Sequence, residues 1–313
     1  MSGKRKGTYK ITNWRKYNES LVKRGSITFW FSEETIKKWH HENAKPKVGH
    51  PFVYSDTAIE CLLVLRELFR LPYRQTEGLG KSLTALMEVS IDIPDYTSLA
   101  KRASEMSILL DVRKQAGPID VVVDSTGLKV FGEGEWKMRK HGKTKRRTWR
   151  KLHLAVNPDT HEIVAETMTE NSCDDAGQTD DLLDQVGSPV DKLYGDGAYD
   201  QRKVYETLKK RGIKAIIPPR RNAKISRHGN SRGRPLPRDA AIREIRRRGR
   251  RQWKERVGYH RRSLSETAMY RMKCCFGDHL KNRLIPNQKI ETSLRSKILN
   301  KFTHLGLPLF EWN

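Results

Sequence analysis

The order of apolar and polar positions divides the chain into three stretches with different periods. Up to about residue 115 the apolar residues recur at helical spacing, and the run Cys61-Leu62-Leu63-Val64-Leu65 marks a buried core. Ser55 or Asp56 is placed to cap a helix reaching about Phe69, and Pro72 punctuates its end. Residues 73–89 carry a second helical pattern, and Thr97 is placed to cap a third over residues 98–106. Short helices carrying basic residues suit a helix-turn-helix-like DNA reader; an ordinary helical packing domain accounts for the same pattern.

The period changes at residue 119. Ile119-Asp120-Val121-Val122-Val123-Asp124 is a β-branched run ending in Ser125-Thr126-Gly127, which reads as a buried strand entering a turn. Residues 149–156 and 162–168 alternate as two more strands, with Asn157-Pro158-Asp159-Thr160 as the turn between them. The pattern then predicts a helix over 174–186, a short strand over 192–196, a helix over 199–211 and a strand over 214–217. Three strands followed by helix, strand, helix and strand predict a mixed α/β sheet with helices on its faces. The third stretch opens at Pro218-Pro219-Arg220-Arg221 and is rich in Gly, Pro and Ser to about residue 237, which predicts a loop that is mobile or ordered by DNA. A very basic segment follows, then a helix over about 260–275, then a tail with scattered apolar residues and no clear chemistry.

The 313 residues carry a formal net charge of +25, which favours a polyanionic partner: nucleic acid first, an acidic membrane surface second. No stretch approaches the roughly 18 apolar residues that span a bilayer, and no apolar core of a signal peptide follows the basic N-terminus. No membrane association is therefore expected. Cys61, Cys173, Cys274 and Cys275 form no CxxC pair, and there is no HExxH. This argues against a thiolate zinc site or disulfide scaffold and fits a reducing cytoplasm.

Phosphoryl transfer on DNA needs charge stabilised on the entering and leaving oxygens. Two divalent ions about 4 Å apart do this, and hard Mg²⁺ prefers carboxylate oxygens. Asp124 ends a buried strand and Asp196 ends another, inside Tyr194-Gly195-Asp196-Gly197-Ala198-Tyr199. If those strands are parallel neighbours, both carboxylates sit at the carboxyl edge of the sheet, where α/β sites gather. Both segments are also good turn sequences. At about 100° per residue, Tyr259, Arg262, Glu266 and Lys273 share one narrow helical face, provided the helix includes Tyr259. Leu264, Ala268, Met272 and Cys275 lie opposite and would pack against the sheet, leaving Glu266 pointing out of the core. A solvated polar face with Arg262 and Glu266 as an ordinary i,i+4 pair is the competing reading. His153 and His161 read as structural histidines.

Two basic patches suit phosphate contacts. One is a projecting hairpin with Trp136, Arg139, Lys140, His141, Arg146 and Arg147, where Trp136 is placed to stack or wedge at a base; a solvated hairpin tip is the alternative. The other spans residues 243–256 and suits tracking of the DNA backbone.

Tyr259-x2-Arg262-x3-Glu266-x6-Lys273 matches without a gap the signature of bacterial insertion-sequence DDE transposases. The flanking YHRRSLSETAMYRMK resembles that group as well. So do Asn13-Trp14-Arg15-Lys16-Tyr17-Asn18, RGSITFW, DSTGLKVFGEGEWKMRKHG and YGDGAYD, so the resemblance spans most of the chain. It implies an RNase H-like fold whose strand order brings Asp124 and Asp196 side by side, with Asp124, Asp196 and Glu266 as the metal-binding triad. A similar Tyr199-x2-Arg202-x3-Glu206 has Ile213 where the lysine should be and falls too early in the chain, so it is set aside.

The pattern along the chain predicts residues 1–115 as a helical region, expected to bind the transposon ends, 116–280 as the RNase H-like catalytic domain with a basic insertion at about 218–256, and 281–313 as a tail. Tyr259, Arg262 and Lys273 would position the DNA strand. The expected partners are double-stranded DNA, as terminal inverted repeats and target, and further copies of the chain in a homo-oligomer. The expected cofactor is Mg²⁺, two ions, with Mn²⁺ able to substitute, and the expected place is the bacterial cytoplasm at the nucleoid. The rival readings are a catalytically silent DNA-binding regulator, a nuclease that cuts without joining, and an RNA-binding protein of the translation machinery.

Overall fold

The computed structural model describes residues 9–42, 51–130, 149–226 and 236–312. The chain divides into two compact units, residues 1–107 with 298–313, and residues 108–297.

The first unit is helical, as its period predicts. Helices α1 (Trp14–Arg24), α2 (Ile27–Trp30) and α3 (Glu33–Lys37) precede the longer α4 (Asp56–Leu68), α5 (Tyr73–Leu86) and α6 (Tyr96–Glu105). Ser55 caps α4, its Oγ accepting from the Ala58 N–H at 3.1 Å. The cap of α6 is Asp95, not Thr97: its Oδ1 accepts from the N–H groups of Thr97 at 2.8 Å and Ser98 at 3.0 Å. A carboxylate takes two orphan amides where a hydroxyl at Thr97 would begin the helix too late. Helix α4 buries Ala58, Ile59 and residues 61–65, and α5 packs closely because Gly80 leaves room: a Cβ there would lie 3.0 Å from Ile93 Cγ2 and 3.2 Å from Leu62 Cδ2. The first strand, β1 (Tyr9–Ile11), pairs antiparallel with the last, β8 (Phe310–Trp312).

The second unit holds the sheet. Its strands are β2 (Ile119–Val130), β3 (Trp149–Val156), β4 (Ile163–Glu170), β5 (Val190–Tyr194), β6 (Lys214–Ile216) and β7 (His279–Leu280). The order is β4-β3-β2-β5-β6, with β7 pairing beside the end of β2. Strands β2, β3 and β4 run antiparallel, whereas β5 is parallel to β2 and β6 to β5. This is the mixed α/β, RNase H-like arrangement expected, with β2 and β5 as neighbours. Strand β2 does not turn at Ser125-Thr126-Gly127; it continues to Val130, paired with β3 out to Lys129–Trp149. Gly127 makes this possible, because a Cβ there would lie 3.1 Å from the Trp149 ring.

Side chains alternate across a strand, so β2 divides its residues between two cores. Val121 and Val123 join Leu193, Ala155 and Ala165 on one face, beneath α7 (Thr179–Gln185) and α8 (Arg202–Lys210). Val122 joins Tyr194 and Ile216 on the other, under α9 (Pro237–Arg248) and α10 (Arg250–Arg256), which contribute Ala241, Ile245 and Trp253. Burying each such aliphatic side chain contributes about 1.5–3 kcal/mol. Asp120 and Asp124 share the face of Val122, and the late helix α11 (Ser263–Phe276) packs on β2 and β3. The residues from 281 onward, expected as a tail, contain α12 (Ile285–Leu305), whose residues to Lys297 belong to this unit and the rest to the first. Among the described residues no helix is long and apolar enough to cross a membrane.

Candidate active site

The last pair between β2 and β5 is Val122–Tyr194. Asp124 and Asp196 each lie two residues beyond it, Asp124 within β2 as that strand runs on beside β3 and Asp196 just past the end of β5. Asp196 is still extended, at φ −82° and ψ −174°, so alternation carries its side chain to the Tyr194 side, as it carries Asp124 to the Val122 side. Beyond it the chain turns at once into a 3₁₀ turn (Gly197–Tyr199), which Asp196 caps by accepting from the Ala198 N–H at 2.8 Å. Gly195 is tightly packed here, since a Cβ would lie 3.1 Å from Tyr199 Cβ and Cγ and would push that side chain by a few tenths of an ångström. Tyr199 is buried below, its hydroxyl without a hydrogen-bond partner and its ionisation suppressed by burial and then by the charges of Asp124, Asp175, Asp196 and Asp174.

Asp124 is 17% exposed and densely held. Its Oδ1 accepts from the Ser125 N–H at 2.9 Å; its Oδ2 accepts from Arg262 Nη1 at 3.0 Å and from the Ser265 hydroxyl at 3.3 Å. Burial raises its carboxyl above the ordinary range, the Ser125 amide and the Arg262 charge oppose this, and the nearby Asp196 charge adds to the rise. Glu266, more exposed, accepts from Nη2 of the same Arg262 guanidinium. One arginine thus bridges Asp124 on the sheet and Glu266 on α11.

The helical face differs from expectation in a way that explains this bridge. Gly258, left-handed at φ +66°, starts a 3₁₀ turn (Tyr259–Arg262), and α11 begins only at Ser263. Tyr259 is therefore not on the outward face of an α-helix. It is buried at 9% exposure against Trp253, with ring centroids 6.2 Å apart. Burial pushes its phenol up to about 12; Arg262 opposes the shift, and the charges of Asp196, Asp124 and Glu266 add to it. On α11 Ala268 and Met272 are buried as expected, but so are Ser265, Met269 and Phe276, while Leu264 and Cys275 are only half-buried. The packed face is rotated by about 60° from expectation, taking ~100° per residue. That rotation places Arg262 and Glu266 at the margin of the packed face, within reach of Asp124, and not on the side opposite the core. Lys273 shares the Glu266 side two turns on and is half-buried. The set-aside Arg202–Glu206 pair is a surface pair on α8, its arginine 92% exposed.

Three participants escaped the sequence analysis. Ser265 is fully buried and links the Arg262 carbonyl, at 2.8 Å, to Asp124. Its helical spacing from Met269 and Met272 was the available signal. Arg261 pairs with Asp120 at 2.5 Å and with Asp159, tying the 3₁₀ turn to β2 and to the β3–β4 turn. Asp120 stands four residues before Asp124 and so on the same strand face, which the sequence does display. Among the other expected DNA contacts, Trp136, Arg139, Lys140, Arg146 and Arg147 lie outside the described residues. The basic segment over 243–256 forms α9 and α10, with Arg246, Arg247 and Arg248 exposed and Ile242 and Trp253 packed inward. The segment's approach is anchored: Pro218 and Pro219 are buried and the Arg220 N–H donates to Asp200 Oδ2 at 2.9 Å. His153 is a buried structural histidine, its Nε2 2.8 Å from Thr169 Oγ1.

A family model described as Transposase DDE domain matches residues 115–299, and a second with the same description matches residues 22–133. The chain belongs to the DDE transposases. It is a DNA transposase, an enzyme of DNA cleavage and strand transfer. Solved structures similar to the transposase include a piggyBac transposase synaptic complex with hairpin DNA, at 10% identity and TM-score 0.42, covering 95% of this chain and 77% of that one. Another is a pre-cleavage Mos1 transpososome, at 10% identity and TM-score 0.23, covering 94% and 98%.

DDE transposases generally use divalent metal ions. The donor chemistry here fits such an ion: the oxygens are hard carboxylates, and Asp124 and Glu266 already share one cation, the Arg262 guanidinium. The set is not drawn into a cage, however. Among the described residues no three His, Cys, Asp or Glu side chains stand close enough together to hold a metal ion.

Proposed function

We infer that Asp124, Asp196 and Glu266 are the catalytic carboxylates of this transposase and the residues that hold its divalent metal, two Mg²⁺ ions for which Mn²⁺ can substitute. What carries the reading is that Asp124 and Asp196 occupy equivalent positions past the last β2–β5 pair while Arg262 joins Asp124 to Glu266. When bound, the metal would stabilise charge on the entering and leaving oxygens of the phosphodiester. The protein's own part is to fix the oxygens that receive it. Ser125 and Ser265 orient Asp124, the 3₁₀ turn orients Asp196, and the packing of Met269, Met272 and Phe276 sets the rotation of α11 and with it Glu266.

Hydrolysis at a transposon end frees a 3′-hydroxyl, and that hydroxyl attacks a target phosphodiester at the same site. Arg262 and Lys273 contact the strand near the scissile phosphate, and Tyr259 supports them from the buried side. Arg246, Arg247 and Arg248 on α9, with the basic hairpin of Trp136, Arg139, Lys140, Arg146 and Arg147, contact the DNA backbone. The helical region up to about residue 115 reads the terminal inverted repeats, and the transposase works in the bacterial cytoplasm as a homo-oligomer that brings two ends together.

Product analysis tests the reading. Wild-type protein with DNA carrying the element's own ends, target DNA and Mg²⁺ should yield donor 3′ ends covalently attached to target, and Asp124→Asn should yield none. Cleaved but never joined ends would instead mark a nuclease. Binding by both proteins with no cleavage by either would mark a DNA-binding regulator.

A further inference from the structure

Arg262 touches two of the three proposed ligands at once. Its Nη1 is 3.0 Å from Asp124 Oδ2 and its Nη2 is on Glu266 Oε1, so a single rigid fork spans both carboxylates. The contact is sheltered: the Arg262 side chain is 21% exposed and Asp124 17%. Other arginines with a glutamate four residues on, Arg202 with Glu206 and Arg251 with Glu255, are 92% exposed. Those are solvated surface pairs, worth little. Arg262 is placed differently, as the counter-ion of a half-buried acid that also feels the charge of Asp196.

The oxygens of Asp124 have little room for a second cation. Oδ1 takes the Ser125 amide, and Oδ2 takes both Arg262 and the Ser265 hydroxyl. A hard divalent ion binds oxygen at about 2.0–2.6 Å and needs the same lone pairs that the guanidinium occupies. The turn that carries Arg262 has a second anchor in Arg261, which is tied to Asp120 and Asp159, so it does not depend on the Arg262 pairs alone. A DNA phosphate would offer the released fork a bidentate acceptor.

We propose that Arg262 is the resident cation of the site in the DNA-free transposase, and that a divalent metal binds only as its guanidinium lets go of Asp124 and Glu266. Metal loading and capture of a DNA phosphate are thereby coupled through one side chain, so Asp124 and Glu266 keep a cation of the chain itself as their partner until an end is seated. The proposal rests on Asp124 and Glu266 being metal ligands.

The test is a Mn²⁺ titration of the full chain without DNA, read by the electron paramagnetic resonance of free Mn²⁺, with melting curves to check folding. Arg262→Gln should bind Mn²⁺ about tenfold or more tightly than wild type, the weight of one charge-assisted hydrogen bond. Arg262→Lys keeps the charge but cannot fork, so it should fall between the two and serves if the glutamine variant fails to fold. Affinity equal to or weaker than wild type in both variants overturns the proposal. Asp124→Asn in each background separates the two levels. Mn²⁺ binding that needs Asp124 but ignores Arg262 refutes only the resident-cation role, whereas binding indifferent to Asp124→Asn removes the ligand assignment beneath it.

Discussion

Replacing Asp120 with Asn removes the inner anchor of the turn that carries the site arginines. The Asp120 side chain is 8% exposed and faces Arg261 Nη1 at 2.5 Å, the Tyr194 hydroxyl at 3.4 Å and Lys192 Nζ at 3.5 Å. Breaking a buried ion pair by removing one partner costs about 3–5 kcal/mol. Arg261 is 24% exposed and keeps Asp159, which is itself 69% exposed, so part of its charge remains compensated. Asparagine also keeps the volume and one acceptor. The cost should therefore fall to about 2–3 kcal/mol, below the range for a fully buried pair. For a unit of this size that is a drop in melting temperature of about 4–12 °C. Thermal unfolding of the full chain followed by circular dichroism measures it. A double-mutant cycle with Arg261→Gln should show the two substitutions non-additive by more than about 1 kcal/mol. A shift under about 1 °C, or strict additivity, would show that Arg261 gains nothing from Asp120 and that the turn is held by packing alone.

The same geometry sets further expectations. Asp200 is pushed up by burial but pulled further down by Arg238, the Arg220 amide and Tyr205, so its folded pKa lies below the ordinary 3.8. Its contribution is present above pH 3.8 and is lost as pH falls through the lower folded value; Asp200→Asn should flatten acid destabilisation in that range, and an unchanged acid limb would contradict this. Glu166 behaves in the opposite sense: its enclosed carboxyl is pushed up to about 7 by burial, so it favours folding below the ordinary 4.5 and loses that contribution as pH rises to about 7. Glu166→Gln should accordingly raise the melting temperature at pH 8 by more than at pH 4, and an equal effect at both would count against the shift. Gly195→Ala, with its Cβ forced onto Tyr199, should cost about 1–3 kcal/mol and reduce end cleavage through displacement of Asp196; wild-type cleavage would mean that the loop relaxes freely. Charge reversal at Arg246, Arg247 and Arg248 should weaken binding to any duplex and make its salt dependence shallower, measured by fluorescence anisotropy, whereas an unchanged slope would place the DNA elsewhere.

The parts legible in the sequence are those where one strand or one helix speaks for itself. The β-branched run before Asp124, the alternating β3 and β4 and the short β5 before Asp196 announced the sheet; Asp124 read as the end of its strand, whereas β2 runs on through it to Val130. The rotation of α11 was not legible, because it depends on a single left-handed glycine, Gly258, that converts the first turn to 3₁₀ and turns Tyr259 inward. Helix α12 was hidden for a different reason. Its Ile290, Leu294, Ile298 and Phe302 recur at helical spacing, but it also buries Gln288, Glu291, Thr292, Arg295 and Ser296, so polar residues share its packed surface. Glu291 makes this burial tolerable by accepting from the Lys281 and Asn282 amides, at 2.9 and 3.0 Å, and from Arg295. Such a network takes its partners from the segment just before the helix and from the helix itself, which no apolar period can reveal. The continuation of β2 through Ser125-Thr126-Gly127 is a third case, decided by the Trp149 ring lying over Gly127 from the next strand.

The most direct test of the central claim is single-turnover cleavage of DNA carrying the element's own ends by wild type and by Glu266→Ala, each with Mg²⁺ and then with EDTA. Wild type should cleave 3′ ends in Mg²⁺ alone, and Glu266→Ala should cleave none although it binds the same DNA equally well. Cleavage by Glu266→Ala at the wild-type rate, or by either protein in EDTA, would contradict that claim.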